Sequence, residues 1–183
     1  MSKKPELSSV KDLRAAARKH IELGAVTAGY DADRKEVLKQ LNQALATELV
    51  CVLRYRRHYF MARGIHAKSV AAEFLAHSSE ELAHADLLAA RIVQLGGEPD
   101  FAPDSLTARS HAEYVAGTSL KDMLSEDLVA ERIAIDSYRE MVLYIADKDP
   151  TTSDMLKSIL AVEEEHADDL ADILSGMSTE KMS

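Results

Sequence analysis

Apolar residues recur at intervals of three and four along four long stretches of the chain, the spacing of one face of an α-helix. The stretches run from about residue 34 to 62, 67 to 95, 119 to 146 and 151 to 175. Each is long enough to span about 40 Å as a helix. Gly64, the Gly96-Gly97 pair with Pro99, Gly117, Pro150 and Gly176 punctuate them. Thr118 or Ser119 can cap the third helix, and Thr151, Thr152 and Ser153 lie near the start of the fourth. The connections "RGIHA" and "DKDPTT" are short and predict antiparallel neighbours. The connection "GGEPDFAPDSLTARSHAEYVAGTS" is long and predicts a crossover that leaves the second and third helices parallel, with a short extra helix in "SLTARSHAEYV". An amphipathic segment, "LSSVKDLRAAARKHIEL", precedes the four. The expected organisation is an N-terminal extension over 1–33 with a short helix, a four-helix bundle over 34–175 and a tail over 176–183.

Each stripe carries polar residues where a core face should be apolar. The first reads Leu41, Leu45, Glu48, Val52, Tyr55, Tyr59, and the second Phe74, His77, Glu81, His84, Leu88, Ile92, Leu95. The third reads Leu120, Leu124, Leu128, Glu131, Ile135, Tyr138, Val142, and the fourth Leu156, Ile159, Glu163, His166, Leu170, Ile173. Every helix has a mid-stripe glutamate, and the second and fourth add a histidine three residues later on the same face. The halves echo each other: Glu48 precedes Glu81 much as Glu131 precedes Glu163, and Tyr55 and Tyr138 each follow the first glutamate of their half by two turns. Burying four carboxylates without partners costs several kcal/mol per ion (order of magnitude). Two divalent cations cancel four negative charges, and two imidazoles complete the coordination. The stripes therefore predict a buried dinuclear metal site, whose oxygen and imidazole donors suit iron, manganese or zinc.

Composition narrows the class further. Ala, Leu, Glu, Lys and Arg dominate, Gly and Pro are scarce, and alternating β-branched runs are absent, so the fold class is all-α. No apolar run approaches the ~20 residues that cross a bilayer, and the start "MSKKPELSSV" lacks the core of a signal peptide. With a single Cys51, no internal disulfide and no Cys-x-x-Cys iron or zinc knuckle can form. A cytoplasmic location is expected. The net charge of −9 argues against a nucleic-acid footprint over the whole surface and suits a protein that attracts cations.

Glu48, the Glu81/His84 pair, Glu131 and the Glu163/His166 pair, in two matched halves, resemble the ferritin-like superfamily of di-iron carboxylate bundles, and most closely bacterioferritin. The resemblance implies a ferroxidase centre holding two Fe ions. Glu48 and His84 would bind one, Glu131 and His166 the other, with Glu81 and Glu163 bridging. Fe(II) would be oxidised by O2 or H2O2, and Fe(III) would be stored and detoxified as mineral in a hollow homo-oligomeric shell. Tyr55 matches a tyrosine near the centre in the family and would donate an electron or a hydrogen bond. The position after Glu81, where bacterioferritins carry a haem-ligating methionine, is Leu82, so haem in that geometry is not expected. The segment after His166 is too short for the fifth helix of 24-subunit shells, and the N-terminal segment resembles the Dps-like mini-ferritin branch, which favours a 12-mer.

The remaining chemistry-bearing residues have plainer readings. Glu80, Glu164 and Glu165 read as surface acids, and His77 as a core or outer-sphere histidine. Asp127 either orients a metal-bound imidazole or sits at a helix edge. Arg54, Arg56, Arg57 and His58 read as a solvated or intersubunit face, and Cys51 as a packed apolar residue. The basic N-terminal segment, with Lys3, Lys4, Lys11, Arg14, Arg18 and Lys19, reads as shell packing rather than DNA binding. Two alternatives stand beside the storage ferroxidase: a non-storing dinuclear oxidase or peroxidase of the rubrerythrin or manganese-catalase kind, and a DNA-protecting Dps-type protein.

Overall fold

A computed structural model describes residues 7–65 and 67–179, all its regular elements being helical. Lys3 and Lys4 of the basic segment and residues 180–183 of the expected tail lie outside the described residues. The order is α1 (Val10–Ala16), a 3-10 turn (Ile21–Leu23), α2 (Arg34–Met61), α3 (Ala67–Gln94), α4 (Leu106–Arg109), α5 (Leu120–Ile145) and α6 (Pro150–Thr179). The expected crossover helix is thus a single turn, α4. No helix among the described residues is long and apolar enough to cross a membrane.

The helix ends follow local chemistry. The Asp33 carboxylate accepts from the amides of Lys35 and Glu36 at the start of α2, and Ser119 accepts from Asp122 at the start of α5. The cap of α6 is Asp149, which accepts from the Thr152 amide at 3.0 Å, rather than one of the hydroxyl residues that follow. Pro150 then occupies the first turn, where its missing N–H costs nothing. Gly96 ends α3 with φ +75°, and the Gly97 amide returns to the Ile92 carbonyl at 2.9 Å. A side chain on Gly97 would collide with Leu38, at 2.5 Å, so glycine lets the crossover leave close against α2. Gly176, expected to end the last helix, lies inside α6, which runs on to Thr179. One interior glycine costs only about 1 kcal/mol relative to alanine.

Helices α2–α3 and α5–α6 form two tightly packed pairs, and α2 meets α5 while α3 meets α6. Glu48 touches Tyr138 and Tyr55 touches Glu131, so α2 and α5 run antiparallel. His77 meets His166 and Arg91 meets Thr152, so α3 and α6 do too. Consequently α3 and α5 are parallel, as the long crossover requires. One core cluster, including Leu41, Leu45, Leu88, Ile92, Leu156 and Ile159, fills one end of the bundle. A second, including Cys51, Tyr55, Phe74, Leu124 and Leu170, fills the other. The glutamate-histidine belt lies between them. The N-terminal segment makes little use of this core: α1 buries no residue. The loop after it is pinned by Tyr30, whose hydroxyl donates to Asp149 at 3.0 Å.

Candidate metal centre

All six expected ligands on the stripes point into the bundle centre. Glu48, Glu81, Glu131 and Glu163 are at most 1% exposed, His84 5% and His166 2%. Their ligand atoms fall into two overlapping groups, Glu48–Glu81–His84–Glu163 and Glu81–Glu131–Glu163–His166, each with its atoms within 4.8 Å of one another. Glu81 and Glu163 belong to both. The His84 Nδ1 lies 2.9 Å from Glu163, 3.5 Å from Glu81 and 3.6 Å from Glu48. The His166 Nδ1 lies 3.6 Å from Glu81, 3.7 Å from Glu163 and 4.0 Å from Glu131.

These short distances are not matched by hydrogen bonds. Glu48 Oε2, Glu81 Oε1, His84 Nδ1, Glu131 Oε2, both Glu163 oxygens and His166 Nδ1 are buried with no hydrogen-bonding partner. Such groups are rare in native proteins because each carries a desolvation cost. Hard oxygen donors and imidazole nitrogens converging without hydrogen-bonding partners form a donor set that fits a pair of divalent transition-metal ions.

The electrostatics show the same demand for cations. Burial, then Glu81, raises Glu48 to about 8. Burial, then Glu81 and Glu163, raises Glu131 well above the carboxylate range. Glu81 ends lower than usual: burial and Glu163 push it up, but the close approach of Glu48, His166 and His84 outweighs them. Burial alone would lower the two histidines. Glu163, Glu48 and Glu81 nevertheless lift His84 to about 12, and Glu163 and Glu81 lift His166 to about 10. The metal-free centre thus neutralises itself with protons.

Two tyrosines brace the centre reciprocally across the halves. The Tyr55 hydroxyl donates to Glu131, and the Tyr138 hydroxyl donates to Glu48. Burial and these carboxylates hold both phenols well above their ordinary pKa, so both remain donors. The spacing of Tyr138 from Glu131 signals this role as clearly as that of Tyr55 from Glu48.

Of the other residues, some fall as their sequence readings have them and some do not. Glu80, read as a surface acid, is exposed but accepts from His166 Nε2 at 2.8 Å and so orients the ring whose Nδ1 faces the centre. Glu164 and Glu165 are exposed, as expected, and Glu164 pairs with Arg139. Asp127 touches no centre imidazole. It is fully buried and pairs with Arg54 Nε at 2.7 Å and His58 Nδ1 at 2.8 Å. Arg54 and His58, read as part of a solvated face, are therefore core residues. They reach on to the crossover carbonyls of Glu113 and Ala116, at 2.9 and 3.0 Å. His77 is 1% exposed, stacks on His166 with ring centroids 4.0 Å apart, and lies 3.3 Å from the Tyr55 hydroxyl. Burial, then His166, lowers it to about 3, so its ring is neutral. Cys51 is a buried thiol, pushed up by burial.

Known proteins share this architecture. A family model for the ferritin-like domain matches residues 38–179. Bacterioferritin from Mycobacterium avium is 29% identical over 134 residues, covering 73% of this chain and 80% of that protein. The bacterioferritin-related protein from Bacteroides fragilis, a dodecameric thioferritin, superposes with a TM-score of 0.80 at 34% identity, over 83% of this chain and 92% of that one. Dps from Thermosynechococcus elongatus shares the fold, with a TM-score of 0.74 at 22% identity over 76% of this chain and 90% of that one. Helix order, crossover and a family match across most of its length agree: the chain belongs to the ferritin-like family.

Proposed function

We propose that this protein is a ferroxidase that oxidises Fe(II) at the buried centre and holds the Fe(III) product inside a homo-oligomeric shell. The observation that carries the reading is the pair of ligand groups sharing Glu81 and Glu163, with seven buried donor atoms that lack any other partner. In this reading Glu48 and His84 hold one iron, Glu131 and His166 the other, and Glu81 and Glu163 bridge them. Two Fe(II) ions supply one electron each, which with two protons reduce O2 to H2O2 or H2O2 to two waters.

The chain's own residues prepare that chemistry. Tyr55 and Tyr138 hold Glu131 and Glu48 with one oxygen engaged, leaving the other free to face a metal. Glu80 fixes the His166 ring. Storage is supported by the likeness to a dodecameric relative over most of this chain. Twelve copies of a 20.1 kDa chain would weigh about 240 kDa.

Native mass measured together with iron content after aerobic Fe(II) loading tests both halves of the proposal. A particle near 240 kDa retaining many irons per chain is expected. A dimer or tetramer that retains no more than its centre can hold would favour the non-storing oxidase instead. Stopped-flow absorbance tests the ligands: Glu131→Ala or His166→Ala should abolish the fast oxidation phase while circular dichroism stays helical. Unchanged initial rates would refute the assignment.

A further inference from the structure

The internal repeat lets positions around the centre be paired across the two halves, Glu81 with Glu163 and His84 with His166. The same offset pairs His77 with Ile159, Glu73 with Met155 and Asp169 with Leu87. One flank of the centre is therefore apolar, as a core rim ordinarily is. The other, between the N-terminal half of α3 and the C-terminal half of α6, carries an imidazole and two carboxylates.

The hydrogen bonding around His77 sets which nitrogen is available. The Tyr55 hydroxyl gives its proton to Glu131, so its oxygen can only accept from His77 Nδ1, 3.3 Å away. Nδ1 then carries the ring hydrogen, and Nε2 presents a lone pair. Nε2 is buried without a hydrogen-bonding partner, in a residue only 1% exposed. It faces Glu73 Oε1 at 3.3 Å and Asp169 Oδ2 at 3.9 Å. Ionised carboxylates accept and do not donate. Three acceptors thus converge with no hydrogen among them, and their atoms lie within 4.8 Å of one another. The Glu73 and Asp169 side chains are 37% and 51% exposed, so the cluster opens to solvent.

We propose that Glu73, His77 and Asp169 form a third, mononuclear divalent-cation site on the α3–α6 edge, from which incoming ions pass to the His166 side of the centre. One imidazole and two carboxylates suit Fe(II), Mn(II), Co(II) or Zn(II), with water completing the shell. The inward step is short: ligand atoms of His77, Glu80 and His166 also lie within 4.8 Å of one another. The delivery role rests on the proposed centre, but the binding of an ion at His77 does not.

Co(II) titration of the metal-free full-length protein, followed by calorimetry and d–d absorbance, tests the site. The wild type should bind three ions per chain and the Glu73→Gln/Asp169→Asn variant two. Both replacements lie at the solvent edge and preserve shape. Glu81→Gln/Glu163→Gln, which disables both groups of the centre, should retain one ion, lost when the edge replacements are added. A wild-type stoichiometry of two, or three ions undiminished by the edge replacements, would overturn the site. If the edge replacements remove one ion while the Glu81/Glu163 replacements remove none, the outer site stands and the dinuclear reading fails.

Discussion

At the residue scale, the centre depends on side chains that touch no metal in the proposed scheme. Glu80 illustrates the point. It is exposed and sits one residue before a buried glutamate, so periodicity places it on the solvent face. Only the fold brings α6 close enough for its carboxylate to meet His166 Nε2 at 2.8 Å. Partners of this kind typically change metal affinity by roughly 10–100-fold. Glu80→Ala should therefore weaken Co(II) binding at the centre by about tenfold or more, while Glu164→Ala, which removes only a surface partner of Arg139, should leave it unchanged. Equal affinities in the two variants would show that the His166 ring is oriented by packing alone. The six stripe residues are legible in the sequence for the opposite reason. Carboxylates and imidazoles at core positions break the apolar pattern, and they break it at the same register in both halves.

At the scale of elements, helix number, order and the crossover follow from periodicity and connection length, and the observed ends of α2, α3 and α5 lie close to the expected ones. What the pattern hides is a change of face along α2. Its first half buries Leu41, Leu45 and Glu48, but beyond Cys51 the buried set becomes Arg54, Tyr55 and His58, while Val52 and Tyr59 are only partly covered. Two basic residues in a run with Arg56 and Arg57 read as surface because their partner, Asp127, is distant in sequence. In the fold, Asp127 neutralises Arg54, and the pair with His58 fastens the residue 113–116 stretch of the crossover to the bundle. Removing one member of a buried pair strands the other charge, at a cost of about 3–5 kcal/mol. Asp127→Ala should lower stability by that order and speed amide exchange around residues 113–116, with little effect on exchange in α6. Protection of the crossover unchanged by the substitution would mean that it is held by other contacts.

At the scale of the whole molecule, the centre links folding to pH in a way that metal should reverse. Without ions, Glu48 is raised to about 8, His84 to about 12 and His166 to about 10, so these three hold protons near neutrality, and Glu131 is raised in the same direction. In the unfolded chain the glutamates would have lost theirs above 4.5, and the histidines theirs above 6.5. Each group binds protons more tightly in the folded state, so the stability it confers is full below its unfolded pKa and is lost as pH rises through its folded one. His77, lowered to about 3, acts in the opposite sense only below 6.5, and lowered Glu81 acts lower still. Between pH 6.5 and 8 the raised groups alone set the slope, and the Tm of the metal-free protein should fall as pH increases. Metal ions replace those protons. Loading the centre at pH 7 should release protons from Glu48, His84 and His166, and the release should be visible in lightly buffered solution. Binding then strengthens as pH rises, because fewer protons compete, so the Tm of the Co(II)-loaded protein should hold or climb across the window in which the metal-free Tm falls. A metal-free Tm that does not fall across this window would show that these side chains are no proton store, and parallel profiles with and without metal would show that they are no cation site.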